Sequence, residues 1–563
     1  MINSNTEDNR NLKHGTLILL FSTVLVKIIS ALFKIPLSSN YCLGDLGFGY
    51  FSSANDVFMP IYFVAISGFP VAISNIVSNF IAKNDTAGAH KTLKISKKVI
   101  LLFSAVFFII YIICIFPFAD FTDKTGNSIY SFLAVSPTII FCLWSACYRG
   151  YYEGIMDMRP AAVSNVIEAL GKLILGLGLA LAVMRLNRNP AYAAAAAMLG
   201  ISLGTVASAI YLSIKYKADR KKLYVISDTS AGLISEKEIV KKIILISAPV
   251  VAASLSGSVV ALIDGLTVRY QLSNLLTSNY DMLKNYYSEL ISEYEMQAGN
   301  VLSDDALPTV LYGIRGKSYT LFNLIPTLTT AIGVGLIPTI TQSYVKKDKF
   351  ALKSNIGAAF KLSSLVSFPA GIGYIVFGQR IISLLYGSSV SSEFGGKMLS
   401  YYGIAAIFAG FSFPLASILQ AISKQRTALF NVFWGIVVKL ILNIILCNKP
   451  EINIYGSVYS TIACFAVICL LHVFCIVKLT GKVTQLYQNV IKPMISAVIC
   501  VAAGYVLGLT SETRTMTFVL VIFAAAVYFV CMFLLKGFDE TDILALPMGE
   551  KLLSACKKIK IIR

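Results

Sequence analysis

Apolar residues in this chain run in blocks of about 20, long enough to cross a hydrocarbon core as helices, with short polar stretches between them. Spans are predicted at 15–37, 51–81, 97–119, 127–149, 160–184, 191–215, 241–270, 316–344, 354–378, 397–422, 428–447, 453–478, 487–509 and 515–536. That pattern predicts an all-α polytopic membrane protein of about fourteen transmembrane helices. The first 13 residues are polar, and the span after them carries Lys27 and no small-residue cleavage site. It therefore reads as a retained helix and not as a signal peptide.

A repeat lies beneath the spans. Gly68-Phe-Pro70-Val-Ala-Ile-Ser74 ends the second span and Gly335-Leu-Ile-Pro338-Thr-Ile-Thr341 ends the eighth, with the prolines 268 positions apart. Arg159 and Lys172 enter the fifth span as Arg426 and Lys439 enter the eleventh, at an offset of 267. Two echoes at nearly one offset predict two six-helix lobes of like orientation, related by a pseudo-twofold axis along the membrane normal. The expected organisation is an N-terminus at 1–14, an N-lobe at 15–216 and a basic linker at 217–240. A C-lobe follows at 241–479 with a loop at 271–315, then two further helices at 480–536 and a basic tail at 537–563.

Composition agrees with the pattern: 56% of residues are apolar and 14% charged, and the mean hydropathy is +0.73. The formal charge of +19 comes from lysines and arginines gathered between spans, such as Lys91 to Lys98, Arg220 to Lys222 and Lys346 to Lys349. These read as topology determinants on one side of a membrane, which places both termini in the cytoplasm and removes the case for nucleic acid. The opposite side holds Asp45, Asp120 and Asp123, and the acidic segment 271–315 is expected to form a small helical or irregular cap. The eleven cysteines include no CxxC pair and read as packing residues.

No enzyme or metal signature appears: the three histidines are far apart, and Gly44-Asp-Leu-Gly47-Phe-Gly49 lacks the lysine and the strand context of a phosphate loop. The informative residues are charges inside spans, where a charge is costly enough to face a partner or a watered cavity. Lys27 and Lys34 lie seven residues apart and leave nearly one helix face. They suit a dense anion such as a diphosphate, although Lys34 is near enough to the end of its span to reach the headgroups instead. Arg269 could add a third cation or serve as an interfacial anchor. Asp56 and Asp264 are intramembrane acids, and Lys439 and Asn443 share one face of the eleventh span. Asp264 and Lys439 either neutralise each other, or Asp264 with Asn443 and Thr461 forms a coupling site for a proton or cation, with Lys439 as competitor. Glu168 and Lys172, at i and i+4, are expected to form an internal ion pair. Prolines 60, 70, 249, 326, 338, 369 and 414 interrupt spans, as a hinged bundle would require.

Several motifs together resemble one family. They are Lys27 in Val-Leu-Val-Lys-Ile-Ile-Ser, Lys34-Ile-Pro-Leu, Leu43-Gly-Asp-Leu-Gly-Phe-Gly49, Gly68-Phe-Pro-Val-Ala-Ile-Ser74, Tyr148-Arg-Gly-Tyr-Tyr-Glu-Gly154 and Tyr312-Gly313. The set is similar to the polysaccharide biosynthesis/stage V sporulation protein B group. That group belongs with the MurJ (MviN) lipid II flippases in the multidrug/oligosaccharidyl-lipid/polysaccharide exporter superfamily. The resemblance implies a V-shaped transporter that moves an undecaprenyl-diphosphate-linked sugar between leaflets by alternating access. It also implies diphosphate-holding cations on the first, second and eighth spans. Lys27 and Lys34 match the first. The second-span position holds Ala54-Asn55-Asp56, and on the eighth span Leu321 stands five before Pro326, with Arg315 and Lys317 the nearest cations. Some relatives bind sodium with a seventh-span aspartate and eleventh-span polar residues, which Asp264 and Asn443 resemble.

The expected function is thus a flippase, not an enzyme, for a lipid II-like or surface-polysaccharide precursor in a bacterial plasma membrane. Diphosphate contacts are expected from Lys27, Lys34, Arg269 and Lys317, and coupling through Asp264, Lys439, Asn443 and Thr461. No cofactor is expected beyond a proton or sodium ion. The expected partners are the polyprenyl-diphosphate-linked saccharide, the bilayer and cell-wall synthesis proteins. The rival readings are a drug/cation antiporter of the same superfamily and a membrane-embedded sugar-lipid polymerase or ligase acting through 271–315.

Overall fold

Backbone amides in hydrocarbon find no water to bond, so a chain with these apolar blocks must satisfy them within helices. The computed structural model describes residues 22, 25–83, 85–223, 235–298, 301–481, 485–510 and 513–538, and is helical accordingly. Twelve helices among the described residues are long and apolar enough to cross a membrane. In chain order these are Gly44–Ile81, Thr86–Asp120, Ser128–Gly154, Arg159–Asn187 and Pro190–Asp219, here spans 2 to 6. Spans 8 to 14 are Asp304–Val345, Lys349–Tyr386, Val390–Ala421, Gln425–Cys447, Tyr455–Thr480, Tyr487–Gly508 and Arg514–Leu534. Of the other two expected, span 7 lies within the helix Glu236–Ser278. Span 1 is helical over 25–37, and most of its earlier part lies outside the described residues. The terminal segments and 224–234 of the linker also lie outside them.

Helices begin earlier than the apolar blocks. Span 2 starts at Gly44, with Asp45 in its first turn where a carboxylate favours the helix N-terminus. Span 3 starts at Thr86, where the Asp85 side chain accepts from the Gly88 amide at 2.6 Å. Span 2 contains a π-helical turn, Val64–Gly68, just ahead of Pro70, whose missing amide and ring disturb the α ladder at that point. Tyr487–Ile491 stands in the same relation to Pro493. Span 8 runs as α-helix through Pro338, so the two proline motifs of the repeat are not conformational copies.

The chain divides by packing into unit 1, Met1–Ser278 with Val301–Gly313, and unit 2, Asn279–Asn300 with Ile314–Arg563. Span 7, which the sequence groups with the second half, packs within unit 1 on spans 2 and 3. Unit 1 also carries the start of span 8. A Cβ on Gly49 would strike the Thr309 carbonyl, and one on Gly313 would strike the Asp45 carbonyl, so the glycines of two family-like motifs allow two helices to cross backbone on backbone. In unit 2, span 10 is the central element, packed on spans 8, 9 and 12, while spans 13 and 14 pack on span 9 and on each other. The acidic segment forms helices Tyr280–Tyr286 and Ser288–Ala298. Within unit 2, Tyr287 donates to Asn453 Oδ1 at 2.6 Å, and Glu293 accepts from the Val390 amide at the start of span 10 at 2.8 Å.

Candidate functional site

Span 1 presents three different faces. Ile29, Phe33 and Leu37 are buried in the core, and Ile28 and Leu32 are exposed on another side. Lys27, Ser30 and Lys34 share the third, because steps of three and four residues return to nearly one direction. Lys27 is exposed and Lys34 is half-buried. Neither lysine shares the helix face of the exposed Ile28 and Leu32.

Facing this stripe, Lys172 of span 5 donates from Nζ to Ser30 Oγ at 3.2 Å. Ser30 can accept because its own proton goes to the Val26 carbonyl at 2.8 Å. Lys172 feels the fields of Lys27, Lys34 and Glu168, and Lys34 feels that of Asp56. Asp56, buried on span 2, accepts from Tyr312 at 2.7 Å and from Asn55 at 3.3 Å. Spans 1, 2 and 5 of unit 1 thus bring three ammonium groups and two carboxylates, Asp56 and Glu168, into one electrostatic neighbourhood.

The expected Glu168–Lys172 ion pair is not formed. Arg149 of span 4 reaches Glu168 Oε2 at 2.7 Å, and the Tyr62 hydroxyl donates to Oε1 at 2.5 Å, so both carboxylate oxygens are engaged. Arg149 also donates to Ser164 at 2.9 Å and Ser208 at 3.0 Å, which anchors span 4 to spans 5 and 6. The Lys172 amide still bonds the Glu168 carbonyl, so the helix register between the two is intact and it is the engagement of both carboxylate oxygens elsewhere that leaves the pair unformed. Arg149 was missed as a site residue because it sits in a Tyr-Arg-Gly motif at the end of a span, where an arginine ordinarily reads as an interfacial anchor. Its signal was the company of serines at small-residue positions on spans 5 and 6.

Arg269 proves to be a fully buried anchor. Its Nη1 donates to Ser128 at 2.9 Å and Thr309 at 3.3 Å and lies 3.9 Å from Asp123 Oδ2. Asp123 in turn accepts from the Ser128 amide at 2.9 Å and its hydroxyl at 2.6 Å. With no accessible surface and its donors turned to protein, Arg269 cannot meet a diphosphate in this structure. Lys317 belongs to unit 2, is 2% exposed, and holds its Nζ 5.1 Å from the Tyr386 ring centroid. Arg315 is buried beside Tyr319, 5.0 Å from its ring. Neither presents a cation to an open surface.

Of the expected coupling residues, Lys439, Asn443 and Thr461 meet on spans 11 and 12 of unit 2, all fully buried. Lys439 donates to Thr461 Oγ1 at 2.8 Å, and Asn443 Oδ1 accepts from Ser460 at 3.4 Å and Cys447 at 3.2 Å. The Lys439 ammonium thus already bonds one of the oxygens expected to take part in coupling. Asp264 is buried in unit 1.

A polytopic helical fold that keeps charged side chains within its spans defines an integral membrane protein. The chain belongs to the polysaccharide biosynthesis protein family, whose profile matches residues 12–344; a MatE profile matches residues 316–445. Lipid II flippase MurJ of Bacillus subtilis (strain 168) is 26% identical over 481 residues, covering 83% of this chain and 82% of that protein. Stage V sporulation protein B of the same organism is 22% identical over 494 residues, covering 87% and 88%. The solved inward closed conformation of lipid II flippase MurJ superposes with a TM-score of 0.63 at 13% identity, covering 92% of this chain and 98% of that one.

Proposed function

We propose that this protein is a flippase that carries a polyprenyl-diphosphate-linked saccharide, either a lipid II-like or a surface-polysaccharide precursor, across a bacterial plasma membrane by alternating access. The observation that carries the reading is the Lys27 and Lys34 stripe. It is an accessible cationic face on an otherwise apolar helix, separate from the face of the exposed Ile28 and Leu32. A diphosphate is compact and doubly charged, so it offsets the cost of keeping two ammonium groups away from bulk water. In the proposed cycle the lysines take the diphosphate on the cytoplasmic side, where both termini lie, and release it on the other. Among the expected contacts, Lys27 and Lys34 remain in the proposal, and Arg269 and Lys317 leave it.

Coupling follows from Lys439. Because its ammonium already bonds Thr461, the driving force we assign is the membrane potential or a proton gradient and not sodium. A potential contributes about 2.3 kcal/mol per charge per 100 mV. In proteoliposomes, flipping should persist without sodium and fall when the potential and pH gradient are collapsed; a strict sodium requirement would refute the assignment.

The function itself is tested with Lys27→Gln/Lys34→Gln in a lipid-precursor accessibility assay, alongside complementation of cells depleted of their lipid II flippase. Loss of flipping with normal membrane abundance supports the reading. Full activity of the double variant removes the lysines from it. Growth of the depleted cells would identify the cargo as the peptidoglycan precursor, and failure to grow with preserved flipping would point to another polyprenyl-linked saccharide.

A further inference from the structure

We infer that Lys172 of span 5 is the third cation of the diphosphate site, and that Ser30 holds it there. The inference rests on the flippase reading above and adds the residue that sets how much anionic charge the site prefers.

Geometry places Lys172 on the site. Ser30 stands three residues after Lys27 and four before Lys34, on the face that both lysines share. The 3.2 Å bond from Lys172 Nζ to its hydroxyl therefore sets a third ammonium group between the other two along the helix. Lys172 opens the π-helical turn Lys172–Gly176, and such turns recur where a helix re-aims a functional side chain. Gly171, just before it, packs against the main chain of Gly204 on span 6, which seats this part of span 5 firmly.

Charge balance indicates the ligand. Among the carboxylates, Glu168 acts on Lys172 and Asp56 acts on Lys34. Glu168 is matched by Arg149, which leaves three ammonium groups against Asp56. Like charges gathered in low dielectric repel strongly, so the cluster favours a ligand that brings two negative charges. A diphosphate diester carries two at neutral pH, and the four non-bridging oxygens of its two phosphoryl groups can accept from all three donors. A monophosphate monoester carries nearly as much charge but on a single phosphoryl group, so it reaches fewer of the three donors at once and is held less well, and a neutral polyprenol is not held at all.

The test uses the purified full chain in nanodiscs, with an undecaprenyl-diphosphate-linked sugar, undecaprenyl monophosphate and undecaprenol as probes of equilibrium binding. The wild type should bind the diphosphate in preference to the monophosphate. Lys172→Gln should weaken diphosphate binding about tenfold, the scale of one charge-assisted hydrogen bond, and monophosphate binding less. Lys172→Arg should restore the preference. If Lys172→Gln fails to fold, Ser30→Ala keeps the charge and removes its tether, and should narrow the preference by itself. An unchanged diphosphate preference in a folded Lys172→Gln, or in Ser30→Ala where Gln does not fold, overturns the inference. If Lys27→Gln still abolishes binding in that case, the flippase reading stands. A wild type that binds all three probes alike overturns both.

Discussion

Replacing Glu168 by Gln keeps the side-chain shape and removes one charge from the network that ties spans 2, 4, 5 and 6 of unit 1. In the wild type the carboxylate receives Arg149 at 2.7 Å and Tyr62 at 2.5 Å, and Arg149 is 6% exposed. The variant leaves a buried guanidinium with two serine hydroxyls and a neutral amide. Breaking a buried pair by removing one partner costs about 3–5 kcal/mol, because the remaining charge keeps its desolvation penalty without its counterion. At roughly 2 °C per kcal/mol for a large domain, the melting midpoint in detergent should fall by about 6–10 °C. The double variant Arg149→Met/Glu168→Gln should recover much of that loss, since no unpaired charge is left. A double-mutant cycle of Glu168 with Arg149 should therefore show strong coupling, and the same cycle with Lys172 should show little. Thermal unfolding followed by size-exclusion of the detergent-solubilised protein reads both. A shift below about 2 °C for Glu168→Gln would refute the reasoning, as would stronger coupling to Lys172 than to Arg149.

Arg269→Gln should lower thermal stability by several degrees through the loss of the Asp123 contact, yet leave the diphosphate affinity of the folded fraction unchanged; a selective loss of binding would return Arg269 to the site. Gly49→Ala drives a methyl group into the Thr309 carbonyl, so its membrane abundance should collapse, whereas Gly335→Ala, whose added Cβ meets nothing within 4 Å, should be neutral by the same blot. Burial raises the Tyr287 phenol well above its ordinary value. The unfolded chain then loses this proton near pH 10 while the folded one keeps it, so stability should be full below about pH 10 and decline above it. Tyr287→Phe should flatten that decline and cost about 1 kcal/mol from the lost bond to Asn453, both measurable by alkaline thermal scans.

The number and order of the helices were legible in the chain because hydrocarbon imposes a length and a composition that few other environments do. Lys27 and Lys34 were legible for the same reason, as charges that stand out against an apolar block and share a face by periodicity alone. Helix starts were less so: Gly44 to Gly49 reads as a loop by composition, and only the close approach of Thr309 explains why a glycine sits at 49 in a helix.

Partnership was the part that the sequence could not decide. Glu168 and Lys172 at i and i+4 form a pair by local rule, but Arg149 lies 19 residues upstream and Tyr62 lies 106 upstream. Whether such side chains converge depends on which helix faces pack together, a long-range matter that spacing does not encode. Arg269 shows the same limit: sequence placed a cation at the end of a span, and only the fold of 123–128 around it turned that cation into an anchor. Sequence alone determined that this is a many-spanned helical membrane protein with cations on its first helix. Tertiary structure decided which cations are buried against protein partners, as Arg149 and Arg269 are, and which keep an exposed or half-buried face, as Lys27 and Lys34 do, because that depends on the counterions that folding brings within a few ångströms.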